Sequence, residues 1–393
     1  MDYQDTATGP SYDPNIRPTQ SNLGEFRNNV AHSVGNYGLR IFHGHSPPEI
    51  AYYEDHLSYR CGKNGVMGGD LGLVVFRNIT VADNANSGIE FERITLGVDQ
   101  IDVCQAYDLT VIGVSNGNPG SSTHGIVAPQ SDLWKVSNAR FYNFQNGAAA
   151  LGDCAHCATP KADSGARTTR FADLYFDDAT VDRRVAWRWP FKGIFHDLDG
   201  TLTGQGADSY VSAYWKHNDW PACTVDMDLY DGIICPSPLA IERIVFTGAS
   251  GDAAKDTIYL WQYDEEDIED YDEDELANFL VSDNASELAH LKKARPANHW
   301  TAPYVTQHRY YVRWLWGLDF ESITLQIEYY IWADDDVGVE MVLPHYEVRE
   351  AIEFVPANSG LQANETLTKS AEDDLILGSN VVYNETATRE MHF

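Results

Sequence analysis

Residues 194–203 read Ile-Phe-His-Asp-Leu-Asp-Gly-Thr-Leu-Thr, which places two carboxylates, Asp197 and Asp199, at the end of an apolar, strand-length run. In an Asp-x-Asp-Gly-Thr setting the first carboxylate can attack a phosphoryl group, and the second can act as acid and base beside Mg²⁺. Two other readings compete. With Asp177, Asp178 and Asp182 on the preceding segment, the pair offers the oxygen-rich surroundings that suit Ca²⁺, which takes roughly six to eight oxygen ligands. Asp-Gly is also good turn chemistry, because Asp bonds to nearby backbone and Gly accepts left-handed angles.

A second group surrounds this one. Trp187, Trp189, Trp215 and Trp220 lie near Arg183, Arg184 and Arg188. Arg and aromatic rings can hold an acidic sugar by bidentate carboxylate contacts and stacking, which nominates Arg184, Arg188, Trp189 and Trp215 as a carbohydrate site. The same aromatics are equally expected to close a core, since Trp is mostly buried. Cys154 and Cys157 have the spacing of half a zinc site, but no second pair follows. Disulfides are the better expectation, with Cys223 bonded to Cys235; the pairing of Cys61, Cys104, Cys154 and Cys157 stays open. Sequons at Asn78, Asn284, Asn364 and Asn384 are candidate glycosylation sites.

The elements that must position these groups read as short strands. Up to about residue 250 no long segment has a helical period, while Gly, Asn and short β-branched or aromatic runs recur. The segment from Phe26 repeats from Phe76: Phe26, Arg27, Asn28 and Gly38 match Phe76, Arg77, Asn78 and Gly88 at an offset of 50. A looser copy starts at Ala139. Repeats on this scale indicate a solenoid, and a parallel β-helix with coils of roughly 20–25 residues makes the offset two coils. The architecture expected is therefore all-β, a right-handed parallel β-helix over 1–250. An acidic insertion or linker over 251–300 follows, containing Asp264 to Glu275 and a helix-compatible stretch. A smaller β-sandwich-like domain with a polar tail then occupies 301–393.

Composition excludes some functions. The 27 Lys and Arg against 59 Asp and Glu give a net charge of −32, which repels a phosphate backbone, so nucleic acid is not an expected partner. No apolar run is long enough to span a membrane, and the N-terminal residues lack the form of a signal peptide. Paired cysteines and sequons nevertheless suit an oxidising compartment, and an internal piece of a longer secreted protein reconciles the two. Membrane attachment would then come through segments outside this sequence.

The Asp-x-Asp-Gly-Thr run is also the signature of haloacid-dehalogenase-like phosphohydrolases, but that family sets it in a Rossmann-like domain with alternating helices, which the surrounding sequence does not suggest. A longer context points elsewhere. The stretch from Ile194 to Val211, Cys223, the segment Asp228 to Phe246 with Cys235, and Tyr304 to Trp314, in that order, resemble the β-helix region shared by fibrocystin, fibrocystin-L, transmembrane protein 2 and the cell-migration-inducing hyaluronan-binding protein. The segment from Phe26 to Phe42 also looks like that family. The resemblance spans roughly residues 20–350. It implies an extracellular right-handed parallel β-helix on a large cell-surface protein, some relatives of which bind or depolymerise hyaluronan. The sequence starts partway through the family pattern, and no catalytic constellation of the family maps onto a residue here.

The function expected is a structural or interaction segment of an extracellular, cell-surface or ciliary-coat glycoprotein, assembling with itself or with other subunits, with fibres as one form. A polysaccharide-binding or -depolymerising ectodomain is the alternative, with glycans as partners, and a phosphohydrolase the minor one. Ca²⁺, at Asp197, Asp199, Asp177 and Asp178, is the one cofactor expected.

Overall fold

The structure is a computed structural model. It describes residues 17–94 apart from His43, the strands between 103 and 247 with parts of their connections, and the backbone of the strands from 258 to 392; of the side chains beyond Ile241 it describes Val305. Among the described residues there is no α-helix, and one 3-10 turn, Pro18–Gln20, precedes the strands.

The chain divides into two units, one of residues 1–158, 164–213 and 226–232, the other of 159–163, 214–225 and 233–393. The first is built on strands β1 (Val30–His32), β2 (Leu39–Ile41), β3 (Ala51–Tyr59), β4 (Val66–Leu71), β5 (Val74–Ala82), β6 (Ser87–Ile94), β7 (Gln105–Ile112), β8 (His124–Val127), β9 (Lys135–Tyr142), β10 (Ala149–Gly152), β11 (Thr168–Asp177), β12 (Val185–Ala186), β13 (Ile194–Asp197) and β14 (Ser209–Ala213). Odd strands β1 to β13 pair in succession within one sheet and even strands β2 to β12 within another, every pair parallel. A chain that visits two sheets alternately and always lands beside its strand of one turn earlier is a parallel β-helix. Phe26 bridges Tyr53, and Tyr53 pairs with Phe76, so the sequence offset of 50 is two coils.

Burial drives the coiling. Inward rings stack between coils and across the core: ring centroids are 5.1 Å apart for Phe26 and Tyr53 and 4.9 Å for Tyr53 and Phe76 in successive coils, 4.7 Å for Phe76 and Phe91 across one coil, and 4.9 Å for Phe91 and Trp134. Such offset or tilted ring pairs add roughly 0.5–1.5 kcal/mol each beyond their burial. On the second sheet the register stacks Gly38, Gly65, Gly88 and Gly125. A Cβ on Gly65 would lie 2.7 Å from the Gly88 carbonyl oxygen and one on Gly88 2.6 Å from that of Gly125, so the coils approach here at a distance only Gly permits.

One level of the first sheet breaks the in-out alternation. Asn28, Asp55, Asn78, Asp108, Asn138 and Asp173 occupy it in successive coils, all exposed and all at positive φ between 47° and 56°. Asn and Asp are the non-Gly residues that best tolerate this conformation. Their side chains alternate in type up the column. Asn78 donates its amide to Asp55 Oδ1 at 2.7 Å and Asn138 to Asp108 Oδ1 at 2.5 Å.

In the second unit, Ala289–Leu291, His299–Val305, Ile241–Thr247, Ile323–Glu328 and Ile352–Phe354 form one sheet in that order, and seven strands between Ile258 and His392 form another. Pairing is mainly antiparallel. The boundary expected at 250 moves: Ile241–Thr247, read as a coil strand, pairs antiparallel with His299–Val305 and Ile323–Glu328. Alternating apolar residues serve either pairing mode, so pattern alone did not decide it. Ser286–Glu287 and Ala289–Leu291 are strands where the sequence favoured helix, a case of sheet context overriding propensity. The acidic run 264–275 lies outside the described residues, and so do the side chains on which a sandwich-like packing rests.

Candidate functional site

β13 carries the Asp-x-Asp-Gly-Thr run to the end of the solenoid. It pairs parallel with β11 from Thr168↔Ile194 to Phe171↔Asp197, and Leu198 N–H then donates to the Phe171 carbonyl. A further coil would continue along β11. Instead the chain turns through 198–208, with Gly200, Gly204 and Gly206 at φ of 73°, 77° and 66°, and returns as β14 antiparallel to β13. At Gly200 a Cβ would fall 2.2 Å from the Ala207 nitrogen, so the turn requires glycine.

The two carboxylates hold this turn. Asp197 Oδ1 accepts from Leu202 N–H at 3.1 Å, and Oδ2 accepts from Thr203 N–H at 2.8 Å and its hydroxyl at 2.9 Å. Asp199 Oδ1 accepts from the Thr201 hydroxyl at 2.6 Å and Thr201 N–H at 3.1 Å. Asp199 Oδ2 reaches across to the Asp173 N–H at 2.7 Å, and the Thr201 hydroxyl accepts from Leu174 N–H at 2.9 Å. Side chains thus take the amides at the last member of the Asn/Asp column. Arg184 ties the loop from the other side: its Nη1 donates to the Leu202 carbonyl at 2.7 Å while the guanidinium lies 4.7 Å from the centre of the Phe176 ring.

Electrostatics separates the pair. Burial pushes the Asp197 carboxyl above the usual range, outweighing the donors from Thr203 and Leu202. Partial burial also acts to raise Asp199, but hydrogen bonds from Thr201 and Asp173 hold it below that range. Beside them His196 stacks on Tyr210 at 4.2 Å and places Nε2 2.6 Å from Asp208 Oδ1. Burial lowers the His196 pKa, opposed by Asp208 and assisted by Arg170.

Asp197 is fully buried, at 0% exposure, with both oxygens turned inward to the loop. A phosphoryl nucleophile must meet its substrate, and among the described residues around Asp197 the chain is a β-solenoid with no alternating helices, so neither its burial nor its fold setting matches that of a haloacid-dehalogenase-like enzyme. Asp177, at the exposed end of β11, gives its carbonyl to Asn143 N–H, and among the described residues no three His, Cys, Asp or Glu side chains gather as a metal set. Asp178 and Asp182 lie outside the described residues. Of the carbohydrate candidates, Arg184 is engaged as above, and Trp187 packs 5.1 Å from Phe195; Arg183, Arg188, Trp189, Trp215 and Trp220 lie outside the described residues.

Cys223 is bonded to Cys235, while Cys61 and Cys104 are free and buried, burial raising the Cys104 thiol to about 12. Cys154 and Cys157 lie outside the described residues, as do Asn284, Asn364 and Asn384. Asn78 is exposed on the column. Sequence reading missed Thr201, Thr203, Asp208 and the buried Asp153, whose Oδ2 accepts from Gly193 N–H at 3.1 Å. The Thr residues two and four positions past Asp199 were the available signal, because hydroxyls at that spacing favour local turns.

No protein-family model matches the chain. Fibrocystin-L of Homo sapiens is 26% identical over 264 residues, 62% of this chain, and that of Mus musculus 27% identical over 268 residues, 63% of this chain. Fibrocystin of Mus musculus is 22% identical over 280 residues, 66% of this chain. In each case the match covers 6% of the relative's length. Over roughly two-thirds of its length this β-helical chain is therefore similar to one segment of fibrocystin-L and fibrocystin, the family that its Phe26 and Asp197 segments resemble.

Proposed function

We propose that the chain is a structural and interaction segment of a large extracellular cell-surface protein, a stiff spacer whose lateral and terminal surfaces contact other protein subunits or further copies of itself. One observation carries this reading: the residues that looked catalytic, Asp197 and Asp199, are consumed in closing the solenoid. The Cys223–Cys235 bond suits an oxidising compartment. Similarity to the fibrocystins supports a segment of a cell-surface protein, and the sequons support a glycoprotein, in which Asn78 is an exposed acceptor. Stacked coils bury a continuous core and resist bending, which favours stalks and fibres over a moving enzyme.

The test is electron microscopy of the native material with and without a calcium chelator, joined to a hyaluronan depolymerisation assay. Regular filaments or rods without depolymerisation are expected. Discrete particles that shorten hyaluronan would overturn the reading in favour of a polysaccharide-acting ectodomain.

A further inference from the structure

The outer face of the first sheet runs through the middle of the described solenoid and is solvated. Tyr52 and Tyr175 are 45% and 53% exposed on it, Arg77 and Arg140 are exposed, and the Asn/Asp column crosses it coil by coil. Its charge departs from that of the chain. Strands β3, β5, β7 and β9 together carry Glu54, Asp55 and Asp108 against Arg77, Lys135 and Arg140, so they sum to zero in a chain of −32. A neutral face is where a strongly acidic molecule meets the least repulsion from its like.

The column on this face is also self-complementary. Asp55, Asn78, Asp108 and Asn138 alternate carboxylate and amide in successive coils, so the same series read backwards sets an amide against every carboxylate. Bonding capacity remains on both kinds of side chain. Asn78 gives one of its two amide hydrogens to Asp55 and Asn138 gives one to Asp108, while each carboxylate keeps further lone pairs.

We propose that this face binds a second copy of the chain about a two-fold axis lying along the strands, between β5 and β7. Such an axis reverses the order of the coils and keeps the level along each strand, so Asn78 meets Asp108 of the second copy and Asp55 meets Asn138 of the second copy. By the same register Lys135 meets Tyr52, Arg140 meets Leu57, Arg77 meets Tyr107 and Glu54 meets Ser137, so each of the six charged residues faces an uncharged one. An axis through β7 itself would bring Asp108 onto Asp108 of the second copy. Stacked sheets lie about 10 Å apart, a gap that an Asn and an Asp side chain joined by one hydrogen bond of roughly 2.9 Å can span. Coils from β1 to β11, about 4.8 Å apart and about eight residues tall, give a footprint of roughly 750 Å² per copy, close to the roughly 800 Å² of a standard interface. An N-glycan on Asn78 would stand in this face and exclude the pairing, so occupancy of that sequon decides whether the face is paired. The proposal rests on the reading of the chain as an interaction segment and names the surface through which copies meet.

The test is sedimentation velocity on the full chain, made without N-glycans, over a concentration series reaching about 100 μM. A reversible equilibrium between monomer and dimer is expected. Arg140→Glu, a change at an exposed side chain, should weaken it at least about tenfold, and so should Leu57→Arg, which sets a cation against Arg140 of the second copy. An equimolar mixture of the two variants should form a tighter dimer than either alone, because the introduced charges then oppose one another. Unchanged melting curves separate a lost contact from a lost fold, and Arg140→Glu alone decides the matter where Leu57→Arg fails to fold. A monomer at every concentration, a dimer indifferent to Arg140→Glu, or a mixture no tighter than its components would overturn the proposal. Such a failure leaves the scaffold reading intact, because that one is decided by particle shape and depolymerisation.

Discussion

The far end of the solenoid and its first described coil treat the Asn/Asp column differently. At the far end, β13 stops halfway along β11, and the remaining amides of Asp173 and Leu174 are taken by Asp199 and Thr201 from a loop that Asp197 holds in shape. At the near end the Phe26 level has no such loop among the described residues: Asn28, Val30 and Val34 are exposed, and β1 has one neighbour. The far end substitutes side-chain acceptors for a missing coil. Strand pairing that stops must be imitated by other acceptors, and at the far end Asp199 and Thr201 supply them.

The largest effect comes from breaking the closed end. Asp197→Ala leaves one buried and one part-buried N–H group and a hydroxyl without their acceptor, at a cost of about 2–5 kcal/mol. Asp199→Ala loses an interaction with a more exposed carboxylate and should cost less. Denaturant midpoints of the two variants check the order. If Asp199→Ala proves the more damaging, the bridge to β11 matters more than the shape of the loop.

Next comes the contrast between interior and open-end glycines. Gly88→Ala places a methyl 2.6 Å from the Gly125 oxygen and 2.7 Å from Val81 Cγ2, which forces the coils apart for about 1–3 kcal/mol. Gly35→Ala, in the first coil, meets nothing within 4 Å and should stay within about 0.5 kcal/mol of the parent. A thermal melt of each variant suffices, and equal losses would mean that the first coil is as tightly enclosed as the third.

Acid should weaken both ends. Burial lowers His45, opposed by its bond to the Ser21 carbonyl; burial lowers His56, opposed by the Asn29 backbone; burial and Arg170 lower His196, opposed by Asp208. Each ring therefore binds its proton less readily folded than unfolded, where the pKa is near 6.5. Their contribution is complete above that value and is lost as the pH falls through it towards the folded pKa. Denaturant midpoints should drop between about pH 7.5 and 5.5. His45→Gln and His196→Gln should each flatten part of that limb, and a limb unchanged in both would remove histidine as its cause. At lower pH the two aspartates oppose one another. The raised Asp197 favours the folded state as it protonates, whereas the lowered Asp199 contributes stability that disappears as the pH falls through its folded pKa.

How much of this could be read in the sequence follows from how coils repeat. Phe26 and Phe76 were matched because they are two coils apart and of like type. The intervening Tyr53-Glu54-Asp55 escaped self-comparison because it is their complement instead of their copy. The column from Asn28 through Asp55, Asn78, Asp108 and Asn138 to Asp173 advances by 27, 23, 30, 30 and 35 residues, and with alternating residue types it has no fixed period to detect. The copy placed at Ala139 begins three residues beyond Val136, which the register puts at the level of Phe76. Asp197 and Asp199 were legible as turn residues or ligands. That one would be fully buried and the other would cap β11 depends on a strand 26 residues away, which no local pattern encodes.

The smallest effect distinguishes places along the column. Asn138 stands between Asp108 and Asp173, so Asn138→Asp replaces a donor 2.5 Å from Asp108 Oδ1 with a third consecutive carboxylate. Positive φ is retained, so the change isolates charge from backbone strain. The groups are exposed, which limits the loss to about 0.5–1.5 kcal/mol. Most of it should vanish in about 1 M salt, where screening acts over roughly 3 Å. Asn28→Asp has one neighbouring carboxylate, Asp55, on the described side and should cost less still.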